Sequence, residues 1–471
     1  MDEALKAKFT SIVGAKHALG ASADQEPFLT EWRGRWTGKT PLVLRPGSTN
    51  EVAATVALAN ETKTAIVPQG GNTGLVGGQI PDESGSQIVI SLGRMDKIRT
   101  IDPEGMTIIV DAGAVLQTVQ DTAAAHDCLF PLSLASKGSA TIGGNLSTNA
   151  GGVGALSYGV ARDLCLGLEV VLPNGDVLDD LNILKKNNTG YDLRNLFIGA
   201  EGTLGIITGA SLKLFPKPKA LSTSFVALNS PTDALALLRK AQSVAGEALT
   251  AFELISSFGL EITVKHQTGM RNPLSADYPW YVLLEVSSLE GSDHGDGLMA
   301  GIVEGGFTDG LLQDGTIAAS EAQRGQLWGL REGISESQRH EGGSLKHDIS
   351  VPVAKLPAFM EEAEALVLDW EPAARICAFG HLGDGNLHYN ITQPPGDDKA
   401  GFLARGNVFS PKLHDLVVAY GGSISAEHGI GQMKTRDLLT YKSPVAMALM
   451  QSIKATLDPN LIMNPGKVLS R

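Results

Sequence analysis

The sequence is poor in the residues that would tie it to several functional classes. Of its 471 residues only Cys128, Cys165 and Cys377 are cysteine, an odd number with no paired short spacing, so neither a disulfide framework nor a thiolate metal site is expected. A reducing compartment fits that count. Basic residues are outnumbered, 38 Lys and Arg against 51 Asp and Glu, for a formal charge of -13, and this leaves no general attraction for nucleic-acid backbones or anionic membrane surfaces. An anionic ligand would need a locally basic pocket. No apolar run approaches the roughly 18 residues that span a bilayer, so membrane association is expected only peripherally or through a partner. Met1 to Gly20 carries Asp2 and Glu3 and lacks the charged-then-apolar order of an export signal, which makes a cytoplasmic location the expectation.

What is abundant is apolar residues and glycine. With 43% hydrophobic residues the chain is a globular protein long enough for two or three domains. The 55 glycines crowd into three places, Gly70 to Gly78, Gly138 to Gly159 and Gly199 to Gly209. Each cluster adjoins segments that read as strands: Thr64 to Val67, Ile88 to Ser91, Thr107 to Val110, Leu166 to Leu172 and Ile206 to Phe215. Asn50 to Asn60 has helical spacing, so residues 1 to about 218 read as one α/β unit. Pro216-Lys217-Pro218-Lys219 interrupts both helix and sheet and marks a boundary. Beyond it, strands over Ser222 to Leu228 and Tyr281 to Ser287 alternate with helices over Pro231 to Val244, 321–337 and 354–367. That alternation predicts an antiparallel sheet with helices on one face. From about Ser410 the chain reads as mainly helical, ending in Asn464-Pro465-Gly466-Lys467.

Pro68-Gln69-Gly70-Gly71-Asn72-Thr73-Gly74 follows a strand, and successive glycines let backbone N–H groups turn toward one anion, for which a phosphate or diphosphate is the natural guest. The segment is neither G-x-G-x-x-G nor a P-loop. Taken alone, any one cluster is more simply a set of tight turns. The second cluster, Gly138-Ser139-Ala140-Thr141-Ile142-Gly143-Gly144-Asn145 running into Thr148-Asn149-Ala150-Gly151-Gly152, is small or hydrogen-bonding almost throughout and suits a long, flat cofactor. With Gly199-Ala200-Glu201-Gly202-Thr203-Leu204-Gly205-Ile206-Ile207 as a third piece, the order and spacing resemble the FAD-binding domain of the vanillyl-alcohol oxidase and p-cresol methylhydroxylase superfamily. The resemblance implies that Pro68, Gly70, Gly71, Asn72, Thr73 and Gly74 wrap the FAD diphosphate. It implies that Gly138, Thr141, Gly143, Gly144, Asn145, Thr148, Asn149 and Gly151 line the flavin, that Glu201, Gly202 and Ile207 lie along the cofactor, and that Asn464 joins them. Some members attach FAD through a histidine in the first loop; Asn72 and its neighbours offer none, so non-covalent FAD is expected.

Phe379-Gly380-His381-Leu382-Gly383-Asp384-Gly385-Asn386-Leu387-His388-Tyr389-Asn390 reads as a hairpin. With Gly383 to Asn386 as its loop, His381 and His388 would face each other at a Cβ separation of roughly 5 Å, close enough to share a metal. Ser425-Ala426-Glu427-His428-Gly429-Ile430-Gly431 offers a carboxylate that would complete a His-His-Glu set. From spacing alone, two structural histidines and a surface Glu-His pair explain the pattern equally well. The combination resembles the C-terminal domain of FAD-linked oxidases acting on D-lactate, glycolate and D-2-hydroxyglutarate, over nearly the entire chain. In metal-dependent members the residues matching His381, His388 and Glu427 bind Zn2+, and the residue matching His428 is the general base; by ligand type alone, Mn2+ or Co2+ would also suit such a site. The remaining seven histidines, His347 and His414 among them, read as ordinary core or surface residues.

Leu327 to Ser335 continues a helix capped by Ser320 with Gln323 completing a capping box, and helical spacing would put Arg331 and Ser335 on one face. Gly325, Gly329 and Gly333 recur every fourth residue, which predicts another backbone packed closely there. Lys346-His347-Asp348-Ile349-Ser350 reads as a strand. Arg331 and Lys346, each taken alone, are more simply solvated charges. In members acting on D-2-hydroxyglutarate, however, the positions matching Arg331, Ser335, Lys346 and Asn390 contact substrate, Ser335 standing where those members carry threonine. The implied fold class is α+β: a two-subdomain FAD-binding domain over 1–218, an α+β (ferredoxin-like) substrate domain with an antiparallel sheet over 219–410, and a C-terminal helical segment over 411–471 completing the active site. The implied activity is FAD- and metal-dependent oxidation of a D-2-hydroxy acid, D-2-hydroxyglutarate before D-malate. D-lactate or glycolate oxidation, or a flavin-binding subunit of a glycolate oxidase, are the alternatives. An electron-transfer flavoprotein, a quinone or a cytochrome would accept the electrons, and the family implies a homodimer although no dimerisation motif is visible.

Overall fold

Proline at 216 and 218 forbids a continuous ladder, and the chain changes unit between Lys217 and Pro218. The structure, a computed structural model describing residues 1 to 469, consists of two units. One contains Met1–Gly151, Gly159–Lys217 and the segment from Glu427 onward; the other contains Gly152–Tyr158 and Pro218–Ala426.

The first unit is built on two sheets. In one, Val43–Leu44, Ile88–Ser91 and Ile66–Gln69 run parallel, with Ala18–Leu19 antiparallel at the edge. The parallel pairing requires a crossover, supplied by the helix Thr49–Thr62, which starts where Ser48 Oγ accepts from Glu51 N at 3.3 Å. Its strands are apolar because both faces are covered: Val43, Val67 and Val89 form one fully buried cluster. The other sheet is antiparallel, in the order Ile98–Asp102, Thr107–Asp111, Ile206–Lys213, Cys165–Val171, Val177–Asp180. The C-terminal segment returns to this unit, where Ile66 N donates to Ile462 O at 2.7 Å and Asn464 N to Ile66 O at 2.8 Å, extending the edge of the parallel sheet.

The second unit holds one antiparallel sheet ordered Asp314–Ile317, Ala220–Leu228, Trp280–Ser288, Leu249–Ser256, Arg375–His381, Asn386–Thr392, Ser344–Leu345, with Asp348–Ser350 also pairing to Asn386–Thr392. Alternate residues of these strands face opposite ways. Phe225, Ala227, Ile255, Tyr281, Leu283, Cys377 and Phe379 pack against Leu260, Ile262, Leu327, Leu330 and Ile334 of the helices Ser257–His266, Glu321–Glu332 and Ile334–Ser337. The intervening Val226, Leu228, Leu254, Val282 and Leu284 are fully buried too, and the helices Pro231–Ala245 and Ser292–Thr308 contact the same strands. Helices therefore cover both faces, not one as the alternation predicted, because the strands are apolar at every position through their middles. Burying each such side chain stabilises by about 2 kcal/mol.

Two expected boundaries move. The helix Lys399–Ala419 runs through position 410 with Pro411 inside it, so the chain leaves the second unit at Glu427 rather than at 411. Gly152–Tyr158 belongs to the second unit, where Ser157 Oγ donates to Leu249 O at 2.7 Å.

Candidate functional site

In the first unit the three glycine clusters meet. A Cβ on Gly71 would lie 1.9 Å from Ser139 O, one on Gly70 would lie 2.3 Å from Thr141 Oγ1, and one on Gly202 would lie 2.7 Å from Pro68 Cγ. Side chains are excluded from these contacts, which is why the positions are glycine. Thr141 Oγ1 and Asn145 Nδ2 are buried without a hydrogen-bond partner in the protein, as is Asn464 Oδ1. A buried group left so costs about 1–3 kcal/mol unless a ligand meets it, so a polar cofactor fits this cradle. Several of the expected residues have their side chains engaged within the protein or buried. Asn72 Nδ2 donates to Pro27 O and Thr30 O at 3.2 and 3.0 Å, and Asn149 caps the helix Ile142–Thr148 while its Oδ1 accepts from Arg162 N at 3.0 Å. Ile207 lies in the strand Ile206–Lys213, 4% exposed. Gly138 has open space where a Cβ would stand.

Glu201 is the charged member of this cradle. Its carboxylate accepts from Ile430 N at 2.7 Å and Gly431 N at 2.8 Å, and its backbone O accepts from Asn464 Nδ2 at 2.7 Å. Burial outweighs those two N–H donors and pushes its carboxyl up to about 7. The same unit holds Glu427 and His428. A Cβ on Gly151 would lie 2.7 Å from Glu427 Oε1, so the second glycine cluster leaves no room for a side chain beside the Glu427 carboxylate.

In the second unit the site is a row on one face of the sheet. The hairpin register pairs Phe379 with His388, so the loop is Leu382 to Gly385 and not Gly383 to Asn386. His381 and His388 are consequently diagonal neighbours on the same face, not directly opposite, with ring centroids 5.9 Å apart. Leu382, fully buried, belongs to the turn, and Asn386 N donates to Asp384 Oδ1 at 3.0 Å to close it. Asp348 pairs with His388 and Ser344 with Thr392, which brackets Lys346 opposite Asn390. Lys346, Asp348, His388 and Asn390 thus line one face.

Arg331 reaches this row from the helix Glu321–Glu332. Its Nε donates to Glu253 Oε2 at 2.7 Å, and its guanidinium lies 4.7 Å from the Phe379 ring centre. His381 Nδ1 lies 2.6 Å from Glu253 Oε1. Glu253, 1% exposed, thereby joins a guanidinium and an imidazole; burial alone would raise its carboxyl, but His381 and Arg331 hold it down at about 2. Ser335, in the short helix Ile334–Ser337 that follows Gly333, is exposed whereas Arg331 is buried. Ser320 does cap the longer helix, while Gln323 reaches back to Ala319 N at 2.7 Å. The glycine recurrence does not admit a backbone: Gly329 accommodates the Met270 side chain, Gly333 that of Thr263, and Gly325 faces open space.

Sequence reasoning missed Glu253 and Asp348. Glu253 had a signal, an acid inside the apolar run Leu249–Ser256; Asp348 had one too, sitting two residues from Lys346 and so on its face. Asp348 Oδ1 accepts from Asn386 Nδ2 at 3.0 Å and lies 3.8 Å from His388 Nδ1. Ser350 and Ser423 exchange backbone hydrogen bonds at 3.0 and 2.8 Å, and Ala426 N donates to Asp348 O at 3.3 Å. Glu427 and His428 follow Ala426 immediately in the chain.

Comparison with known proteins gives the family of the chain. Residues 217–468 match the family described as FAD linked oxidases, C-terminal domain, and residues 40–180 match an FAD binding domain. The chain is 38% identical over 463 residues to the mitochondrial D-2-hydroxyglutarate dehydrogenase of Arabidopsis thaliana, covering 98% of this chain and 80% of that one. It is 38% identical over 446 residues to a D-2-hydroxyglutarate dehydrogenase of Xanthomonas citri pv. viticola, covering 95% and 93%. The solved structure of p-cresol methylhydroxylase with substrate bound shares the fold, with a TM-score of 0.76 at 18% identity over 99% of this chain and 96% of that one. With a family model over more than half its length and such relatives across nearly all of it, the chain belongs to the FAD-linked oxidases.

Proposed function

We propose that the protein oxidises a D-2-hydroxy dicarboxylate, D-2-hydroxyglutarate before any other, to its 2-oxo acid, with bound FAD taking the electrons. The observation that carries this reading is the row of Arg331, Lys346 and Asn390 beside His381 and His388, which brings a guanidinium, an ammonium and an amide donor onto one face of the sheet in a protein of net charge -13. Relatives named for D-2-hydroxyglutarate at 38% identity support the same substrate. A dicarboxylate needs cationic contacts beyond those a hydroxy monocarboxylate uses, and a planar guanidinium offers them at fixed geometry. Arg331 spends its Nε on Glu253, so the substrate would meet the other edge of the guanidinium.

Bound FAD supplies the hydride acceptor. By residue type His381, His388 and Glu427 are the ligands we assign to a divalent ion, imidazole and carboxylate donors of the kind that suit Zn2+, Mn2+ or Co2+. His381 carries the supporting feature: its Nδ1 is engaged by a buried carboxylate, the arrangement that fixes the ring of a metal-ligating histidine and leaves Nε2 as the ligand atom. Such an ion would supply Lewis acidity toward the α-hydroxy acid. We assign His428 the proton of the substrate hydroxyl. Arg331, Lys346 and Asn390 bind and orient the substrate carboxylates. The test is anaerobic: D-2-hydroxyglutarate is expected to bleach the flavin absorbance of the purified protein, with D-lactate markedly slower. Flavin that stays oxidised with D-2-hydroxyglutarate overturns the reading.

A further inference from the structure

Gln338 belongs to none of the groups assigned so far, yet it holds two of them. It sits on the turn Gln338–Glu341 that follows the helix Ile334–Ser337, 1% exposed. Its Oε1 accepts from Asn390 Nδ2 at 2.9 Å and from the Lys346 ammonium, while its Nε2 donates to Thr392 Oγ1 at 3.3 Å. The register places Lys346 and Asn390 opposite each other on neighbouring strands, so one carbonyl oxygen stands between the cation and the amide and sets the distance between them. Backbone pairing alone would leave the long Lys346 side chain several rotamers; accepting from its ammonium selects one.

We propose that Gln338 is a positioning residue for substrate specificity: it fixes the spacing of the Lys346 ammonium and the Asn390 amide, and with it the dicarboxylate that the site accepts. This rests on the reading of Lys346 and Asn390 as substrate contacts. A neutral acceptor suits the task. A carboxylate at 338 would pair with Lys346 and cancel the charge meant for substrate, and an apolar residue would remove the acceptor that the two donors share. A purely structural glutamine would bind its turn to the sheet through Thr392 and have no bearing on which hydroxy acid is oxidised.

The experiment uses the FAD-loaded protein and compares D-2-hydroxyglutarate, D-malate and D-lactate in steady state with a dye acceptor. Gln338→Met, close in volume, is expected to raise KM for D-2-hydroxyglutarate about tenfold, with kcat and the KM for D-lactate each changing by about threefold or less. Gln338→Glu is expected to do the same by neutralising Lys346, and its deficit should shrink as pH is lowered toward the protonation range of the new carboxyl. Equal KM increases on all three acids, or a loss confined to thermal stability and flavin content, would overturn the assignment. Should Gln338→Met not fold, Gln338→Asn withdraws the shared acceptor by one methylene, and an unchanged KM for D-2-hydroxyglutarate relative to D-lactate in that variant refutes the proposal by itself. Failure of the functional reading is separately visible, since then the unsubstituted protein would not oxidise D-2-hydroxyglutarate.

Discussion

Removing the charge of Glu253 is expected to damage fold and chemistry together. Its carboxylate lies 2.7 Å from Arg331 Nε and 2.6 Å from His381 Nδ1 and is 1% exposed. In Glu253→Gln the shape remains, but the single amide oxygen serves one donor and the Arg331 guanidinium, whose side chain is 10% exposed, loses its counter-charge. An uncompensated buried charge costs about 3–5 kcal/mol. Loss of the carboxylate behind a metal-ligating histidine lowers metal affinity about 10–100-fold. Chemical denaturation of the FAD-loaded protein measures the first quantity, and competition with a chelator of known affinity measures the second. The double substitution Glu253→Gln with Arg331→Met removes both charges and should recover most of the stability but none of the metal affinity. If Glu253→Gln unfolds within about 1 kcal/mol of the parent and holds metal equally well, the ion pair is incidental and the reasoning fails.

Two further outcomes follow from the first unit. Glu201 has a folded carboxyl raised from 4.5 to about 7, so its contribution to stability is fully present below 4.5 and is lost as pH rises through about 7; the gap corresponds to about 3 kcal/mol. Thermal unfolding of the FAD-loaded protein across that range should show the decline, and Glu201→Gln should flatten it; an unchanged slope in Glu201→Gln would place the titrating group elsewhere. Gly151→Ala puts a Cβ 2.7 Å from Glu427 Oε1, and displacing that carboxylate should reduce metal affinity about tenfold or more while flavin absorbance is retained. Undiminished metal binding would remove Glu427 from the proposed ligand set.

The glycine clusters were legible because the requirement is local. Gly70, Gly71 and Gly202 each face an atom at less than 3 Å from where a Cβ would stand, and only one residue type satisfies that. The hairpin was legible as a hairpin, but its register was not. Leu382 looks like strand in an apolar pattern, yet it is buried inside the turn that Asp384 and Gly385 close, and such a shift changes which side chains stand opposite. Glu253 is separated from His381 by 128 residues, and nothing in local spacing reports a contact of that range. The expected boundary at 410 does not hold, because the packing of Phe402, Phe409, Leu413 and Val417, all buried, carries one helix through Pro411.

On the function proposed, Arg331, Lys346 and Asn390 bind a D-2-hydroxy dicarboxylate that bound FAD oxidises with help from a divalent ion. The most direct measurement is the anaerobic reduction of the flavin by D-2-hydroxyglutarate in chelator-treated protein before and after Zn2+ is restored. Bleaching is expected to be slow without the ion and rapid once it returns. Equal bleaching in both states would contradict the metal requirement, and none in either would contradict the substrate.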